Sequence, residues 1–108
     1  MDDRNNLLIE SLQKCITACE NCADACLDED NLSEMVDCIR IDRDCADICA
    51  TTLCLVVRDS DYMQPIIELC EQICADCAEE CEKHDHDHCR QCARACRKCE
   101  EQCRKYLN

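Results

Sequence analysis

The stretch CITACENCADAC, residues 15–26, carries thiols at Cys15, Cys19, Cys22 and Cys26. Its form is C-x3-C-x2-C-x3-C. The same form recurs at Cys70, Cys74, Cys77 and Cys81, and again at Cys92, Cys96, Cys99 and Cys103. A further copy is broken once: Cys38, Asp42, Cys45 and Cys49, with a carboxylate where a thiol is expected. Steps of three and four place all four side chains of a copy on one stripe of an α-helix. A helical bundle ordinarily puts leucine on that stripe, and here it holds sulfur. The predicted fold is therefore all-α: an antiparallel up-down four-helix bundle with a Cys-lined core.

Composition agrees with helices. The 108 residues include no Gly, one Pro, no Phe and no Trp. Turns of β-rich folds lean on Gly for positive φ. A chain of this length predicts a single domain over 1–108. Without its 17 Cys the apolar set is small, so free thiols must act as small hydrophobes in the core. The metal-free protein is expected to fold, with less stability than a leucine-cored bundle.

The net charge of −13 opposes nucleic-acid binding. The charge is uneven: Arg90, Arg94, Arg97, Lys98, Arg104 and Lys105 give the last helix a basic outer face. That face is expected to lie beside acidic neighbours, with docking of a partner or another subunit as the alternative. The start, Met1-Asp2-Asp3-Arg4, lacks the basic and apolar regions of a signal peptide. The longest apolar run, Leu53 to Val57, is too short to span a bilayer. A cytoplasmic protein with reduced thiols and no membrane association is expected.

Four helices are predicted. The first covers Arg4 to Asp28. The second runs from Asn31, where Asn31-Leu32-Ser33-Glu34 has the form of a capping box, to Asp59. The third runs from Asp61, with Gln64 three residues on, to Lys83, and Pro65 falls near its first turn, where Pro is tolerated. The fourth starts at Asp85 or Asp87 and ends at Tyr106. Connections this short make neighbours antiparallel. One end of the bundle then collects Cys26, Met35, Cys38, Cys81, His84, His86, His88 and Cys89. The other collects Leu8, Leu12, Val56, Met63, Ile66, Ile67 and Tyr106. This predicts a ligand-lined mouth and a closed apolar base.

Four uses of the thiols compete. Disulfides conflict with an odd Cys count and with helical i,i+4 Cβ separations of about 5–6 Å, against roughly 3.5–4.5 Å in a disulfide. Iron–sulfur clusters sit in loops that wrap the cluster, and this chain has no Gly for them. Zinc wants tetrahedral four-ligand corners, which leaves a long unbroken column unexplained. Cu(I) is soft, prefers thiolate and accepts few sulfurs per ion. A near-linear S–Cu–S unit spans up to about 4.6 Å, taking the ~2.3 Å zinc–thiolate bond as a guide. An i,i+4 Cys pair reaches that span. Bridging thiolates would allow many Cu(I) per chain.

These residues resemble the cytosolic branch of the copper storage protein family. The resemblance covers nearly the whole chain. It rests on the inward C-x3-C repeats, on CIRIDRDCADIC at 38–49, and on His84-Asp85-His86-Asp87-His88-Cys89. It implies a Cys-filled four-helix bundle, commonly a homotetramer, that stores many Cu(I) ions per subunit, loads them through a His-bearing mouth and has no enzymatic activity. The implied ligands are the fifteen stripe Cys and Cys89, which extends the fourth stripe. His84, His86 and His88 are expected to face the mouth, against the plainer expectation of a solvated acidic loop. Met35 is either a soft ligand at that end or core packing. Asp42 is expected to bond something: a thiol, or a metal as a weak ligand. Cys54 lies five residues past Cys49, about 140° off the stripe, so a helix or subunit contact is expected there, with metal ligation as the alternative. The competing functions are a metallothionein-like zinc or cadmium buffer and an iron–sulfur electron carrier. No nucleophile–base pair or cofactor loop is discernible in the sequence to support a redox enzyme.

Overall fold

The computed structural model describes residues 3–108, with side chains from Asn5 onward. Met1 and Asp2 of the acidic start lie outside the described residues. Four helices follow in order: α1 (Asp3–Cys26), α2 (Val36–Val57), α3 (Met63–Cys81) and α4 (Asp87–Leu107), with a single 3-10 turn, Leu32–Glu34, before α2. Among the described residues there is no strand. Each helix packs on two neighbours, α1 on α2 and α4, and α3 on α2 and α4. That ring encloses one central column in a body 44 × 17 × 17 Å in extent. No described helix is long and apolar enough to cross a membrane.

Two helix starts differ from the sequence-based expectation. Asn31 does not cap α2. Its side-chain amide donates to Glu34 Oε2 at 3.0 Å, and its segment forms the 3-10 turn, so α2 begins five residues later. The Asn31–Glu34 spacing that imitates a capping box is here a local side-chain pair ahead of the helix. Likewise α3 starts at Met63 after Tyr62, and neither Asp61 nor Tyr62 supplies a side-chain cap. The Ser60 hydroxyl takes the Tyr62 N–H at 3.0 Å. Pro65 occupies the third helical position, where no intrahelical N–H bond is lost.

The helix ends tighten in a regular way. After Cys26, the N–H groups of Leu27, Asp28 and Glu29 bond carbonyls three residues back. After Val57 the chain closes through a Schellman motif. Ser60 N–H reaches Leu55 C=O at 3.0 Å and Asp59 N–H reaches Val56 C=O at 3.1 Å. Asp59 holds φ 52°. A chain without Gly uses Asp at its left-handed position, one of the few residues that tolerate it.

The column has two kinds of lining. At the base Leu8, Leu12, Val56, Met63 and Ile67 are buried, with Ile66, Tyr106 and Leu107 packed against them. The rest is sulfur. Every Cys but Cys54 is buried. Ile9, Ile16, Ile39, Ile41, Ile48 and Ile73 close the seams between helices. Thiols thus fill the space that leucines fill in other bundles.

Candidate metal centre

The helical spacing sets the sulfur geometry directly. Within single helices, Cys15–Cys19, Cys45–Cys49 and Cys92–Cys96 stand 3.9 Å apart at Sγ, and Cys22–Cys26 and Cys70–Cys74 stand 4.0 Å apart. Between helices the sulfurs approach equally. Cys15 lies 3.7 Å from Cys96, 3.8 Å from Cys49 and 4.0 Å from Cys45. Cys49 lies 3.7 Å from Cys74 and 3.8 Å from Cys70. Cys19 lies 3.7 Å from both Cys92 and Cys96. These gaps are far beyond the ~2.05 Å of a disulfide, and all fit a shared metal ion.

Several four-ligand groups form, each with its ligand atoms within 4.8 Å of one another. They include Cys15, Cys49, Cys74 and Cys99; Cys15, Cys19, Cys45 and Cys96; Cys19, Cys77, Cys92 and Cys96; and Cys22, Cys26, Cys38 and Cys89. The groups share members, so a thiol belongs to more than one potential site. Cys103 extends the set toward the base beside Cys70 and Cys99.

Asp42 sits inside the column, fully buried. Its Oδ1 accepts from the thiols of Cys77 at 3.3 Å, Cys92 at 3.3 Å and Cys81 at 3.4 Å, and Oδ2 from Cys38 at 3.8 Å. Burial, and then the charge of Cys92, Cys77 and Cys38, pushes its carboxyl up to about 11. Asp42 also joins Cys22, Cys81 and Cys92 in a possible metal group.

At the mouth the three His part company. His88 Nδ1 faces Cys22 at 3.4 Å, Cys89 at 3.5 Å and Cys26 at 3.9 Å. Its Nε2 bonds Glu29 at 2.7 Å. His86 stacks flat on His88, with ring centroids 5.3 Å apart, and its Nδ1 lies 3.3 Å from the same Glu29 oxygen. His84 turns to Glu80 on its own helix end, 2.8 Å away. All three cluster at the predicted end, and His88 is the one brought against thiols. Burial, then the charge of Cys38, raises Cys89 to about 12.

Met35 is fully buried at this end, with the Asn31 amide 3.9 Å from its Sδ. Cys54 is exposed on the outside of α2, away from the column. Two residues not singled out in the sequence, Glu80 and Glu29, complete the mouth. Glu80 precedes His84 by one helical turn, a spacing that is readable in retrospect. Glu29 meets His88 only because the α1–α2 and α3–α4 connections fold to the same end, which no local spacing reveals.

The whole chain, residues 1–108, matches the family model described as "Copper storage protein". This chain belongs to the copper storage protein family. An uncharacterized cysteine-rich protein of Bacillus subtilis (strain 168), YhjQ, is 46% identical over 95 residues, 88% of each chain. The structure is similar to Cu(I)-bound copper storage protein BsCsp3, at TM-score 0.93 and 44% identity, over 98% of this chain and 100% of that one. It is also similar to a cytosolic copper storage protein from Streptomyces lividans carrying five coppers, at TM-score 0.94 and 40% identity, over 97% and 92% of the two chains. The family membership and the sulfur column assign the chain to Cu(I) storage.

Proposed function

We propose that the chain, acting as one domain, takes Cu(I) in at the His88 end and stores it on its sixteen column thiols, by exchange from sulfur to sulfur. The observation that carries this is the network of Sγ atoms 3.7–4.0 Å apart along the bundle. Each gap is short enough for one ion to bind both thiolates, so an ion moves by gaining one sulfur before losing another. Binding releases the thiol proton, and each Cu(I) cancels one thiolate charge that the dry column would otherwise disfavour. His88, Cys22, Cys26 and Cys89 form the receiving site. Asp42, Met35, His84 and His86 are secondary ligands or neighbours of the path, and exposed Cys54 takes no part. Cytosolic residence is supported by the Streptomyces relative, a cytosolic copper storage protein. Assembly of several copies, the expected homotetramer, is supported by exposed Leu7, Val57, Tyr62 and Leu69 toward the base.

A zinc buffer is the second reading, because sulfurs 3.7–4.0 Å apart also fit tetrahedral corners. Shared members limit it: Cys15/Cys49/Cys74/Cys99, Cys19/Cys77/Cys92/Cys96 and Cys22/Cys26/Cys38/Cys89 use no thiol twice, and of the buried thiols only Cys45, Cys70, Cys81 and Cys103 are left, enough for one more ion at most. Anaerobic titration against a competing chelator separates the readings. Storage predicts about ten or more tightly held Cu(I) per chain. Saturation at roughly three or four ions, with zinc preferred over copper, would favour the buffer.

A further inference from the structure

We propose that Glu29 is a positioning residue for copper entry, acting through His88: it holds the Nε2 proton and so leaves the Nδ1 lone pair aimed at the mouth thiols. The claim builds on the entry site proposed above. Glu29 lies in the α1–α2 connection, just past the end of α1, the helix that packs beside α4. Its Oε2 is 2.7 Å from His88 Nε2. A carboxylate oxygen only accepts, so a proton sits on Nε2. In the neutral ring Nδ1 is then the unprotonated nitrogen, and it faces Cys22 at 3.4 Å, Cys89 at 3.5 Å and Cys26 at 3.9 Å. The ring is fixed on its other side by His86, parallel to within 4°. The same Glu29 oxygen is 3.3 Å from His86 Nδ1, so one carboxylate anchors both rings.

This is the arrangement that orients metal-binding imidazoles in general, with a carboxylate on the distal nitrogen fixing ring and tautomer. Without it, the ring of His88 would be free to turn or to exchange its proton to Nδ1. An N–H aimed at the thiols would block the nitrogen from an incoming ion. Glu29 touches no thiol, so its effect is on the rate of capture and not on the number of ions held.

The test uses the full chain in two independent measurements. First, nitrogen NMR of the reduced apo protein at about pH 8.5, where a free imidazole is neutral, reads the tautomer without copper. Wild type should show Nε2 protonated and Nδ1 unprotonated. In Glu29→Ala the two shifts should move toward each other, and Glu29→Gln, which keeps an acceptor oxygen, should restore most of the difference. Identical shifts in wild type and Glu29→Ala would overturn the orienting role. Second, Cu(I) is supplied as its coloured bathocuproine disulfonate complex and transfer is followed in time. Glu29→Ala should slow the first transfers by about ten- to a hundredfold, with final capacity unchanged, and should add nothing in a His88→Ala background. Equal slowing by Glu29→Ala with and without His88 would overturn action through that ring. If His88→Ala itself loads at the wild-type rate, the entry site is misplaced and the loading role falls, while the NMR result still decides whether Glu29 orients the ring.

Discussion

Asp42 shows how one residue changes the chemistry of the column. A carboxyl stands at a thiol position, and four thiols donate to it. Burial favours its neutral form, at about 11, against about 3.9 in an unfolded chain. Between those values the folded state holds a proton that the unfolded state has lost. Apo stability contributed by this residue is therefore fully present below the unfolded value and falls as pH rises. Asp42→Asn keeps the size and cannot ionise. From about pH 5 to about pH 8, wild-type apo protein should lose stability relative to this variant by up to about 1.4 kcal/mol per pH unit. Chemical denaturation in reductant at several pH values measures it, and parallel profiles would mean that the carboxyl is ionised in the fold. The reverse change of character, Asp42→Cys, should raise Cu(I) capacity by about one ion at most. The break at position 42 was legible in the repeat. Of its partners only Cys38, one turn away on the same helix, was legible too, because Cys77, Cys81 and Cys92 come from two other helices.

At the scale of elements, the connections decide what the bundle ends can do. The Cys stripes were readable because a buried helix face imposes its period on the sequence. The connections impose none, and there the sequence misled: Asn31 and Asp61 have the chemistry of caps but sit ahead of helices that begin later. The same is true of the His. Their location at one end followed from antiparallel packing, but the choice of His88 over His84 depends on rotation at the start of α4. His88→Ala should accordingly slow copper loading clearly more than His84→Ala, which removes only a bond to Glu80. Stopped-flow transfer from a coloured donor measures both rates, and equal effects would move the entry site. The opposite end offers a stability test. Asp59 occupies the left-handed region without being Gly. A β-branched residue is far less tolerant there, so Asp59→Val should cost about 1–2 kcal/mol of apo stability. It should leave Cu(I) capacity intact, because the turn lies beyond the apolar base. Denaturation midpoints and a copper count on the same sample check the two halves of that expectation.

For the whole molecule, the fold and the store are the same object. Sixteen buried thiols hold the helices together by their bulk, and the same atoms are those proposed to take the ions. The apo protein needs no metal to define its bundle, since the apolar base, the isoleucine seams and the surface pairs Arg97–Glu82 and Arg104–Glu71 are independent of copper. Circular dichroism of reduced apo protein should be helix-dominated, and a coil that folds only on adding copper would contradict the structure. The last expectation concerns where capacity resides. Cys49 and Cys74 lie 3.7 Å apart on α2 and α3, and each meets further sulfurs: Cys15 and Cys70 for Cys49, Cys45 and Cys70 for Cys74. If thiolates in the column bridge ions, about one per thiol, the Cys49→Ala, Cys74→Ala double variant should hold about two fewer Cu(I). Its apo form should be less stable by about 1 kcal/mol for each small side chain lost. Changing exposed Cys54 to Ala should alter neither number. Copper counted anaerobically on the three purified proteins decides the matter. A full complement in the double variant would make these two thiols packing groups, and a loss far greater than two would mean that the column fills as one indivisible cluster instead of ion by ion.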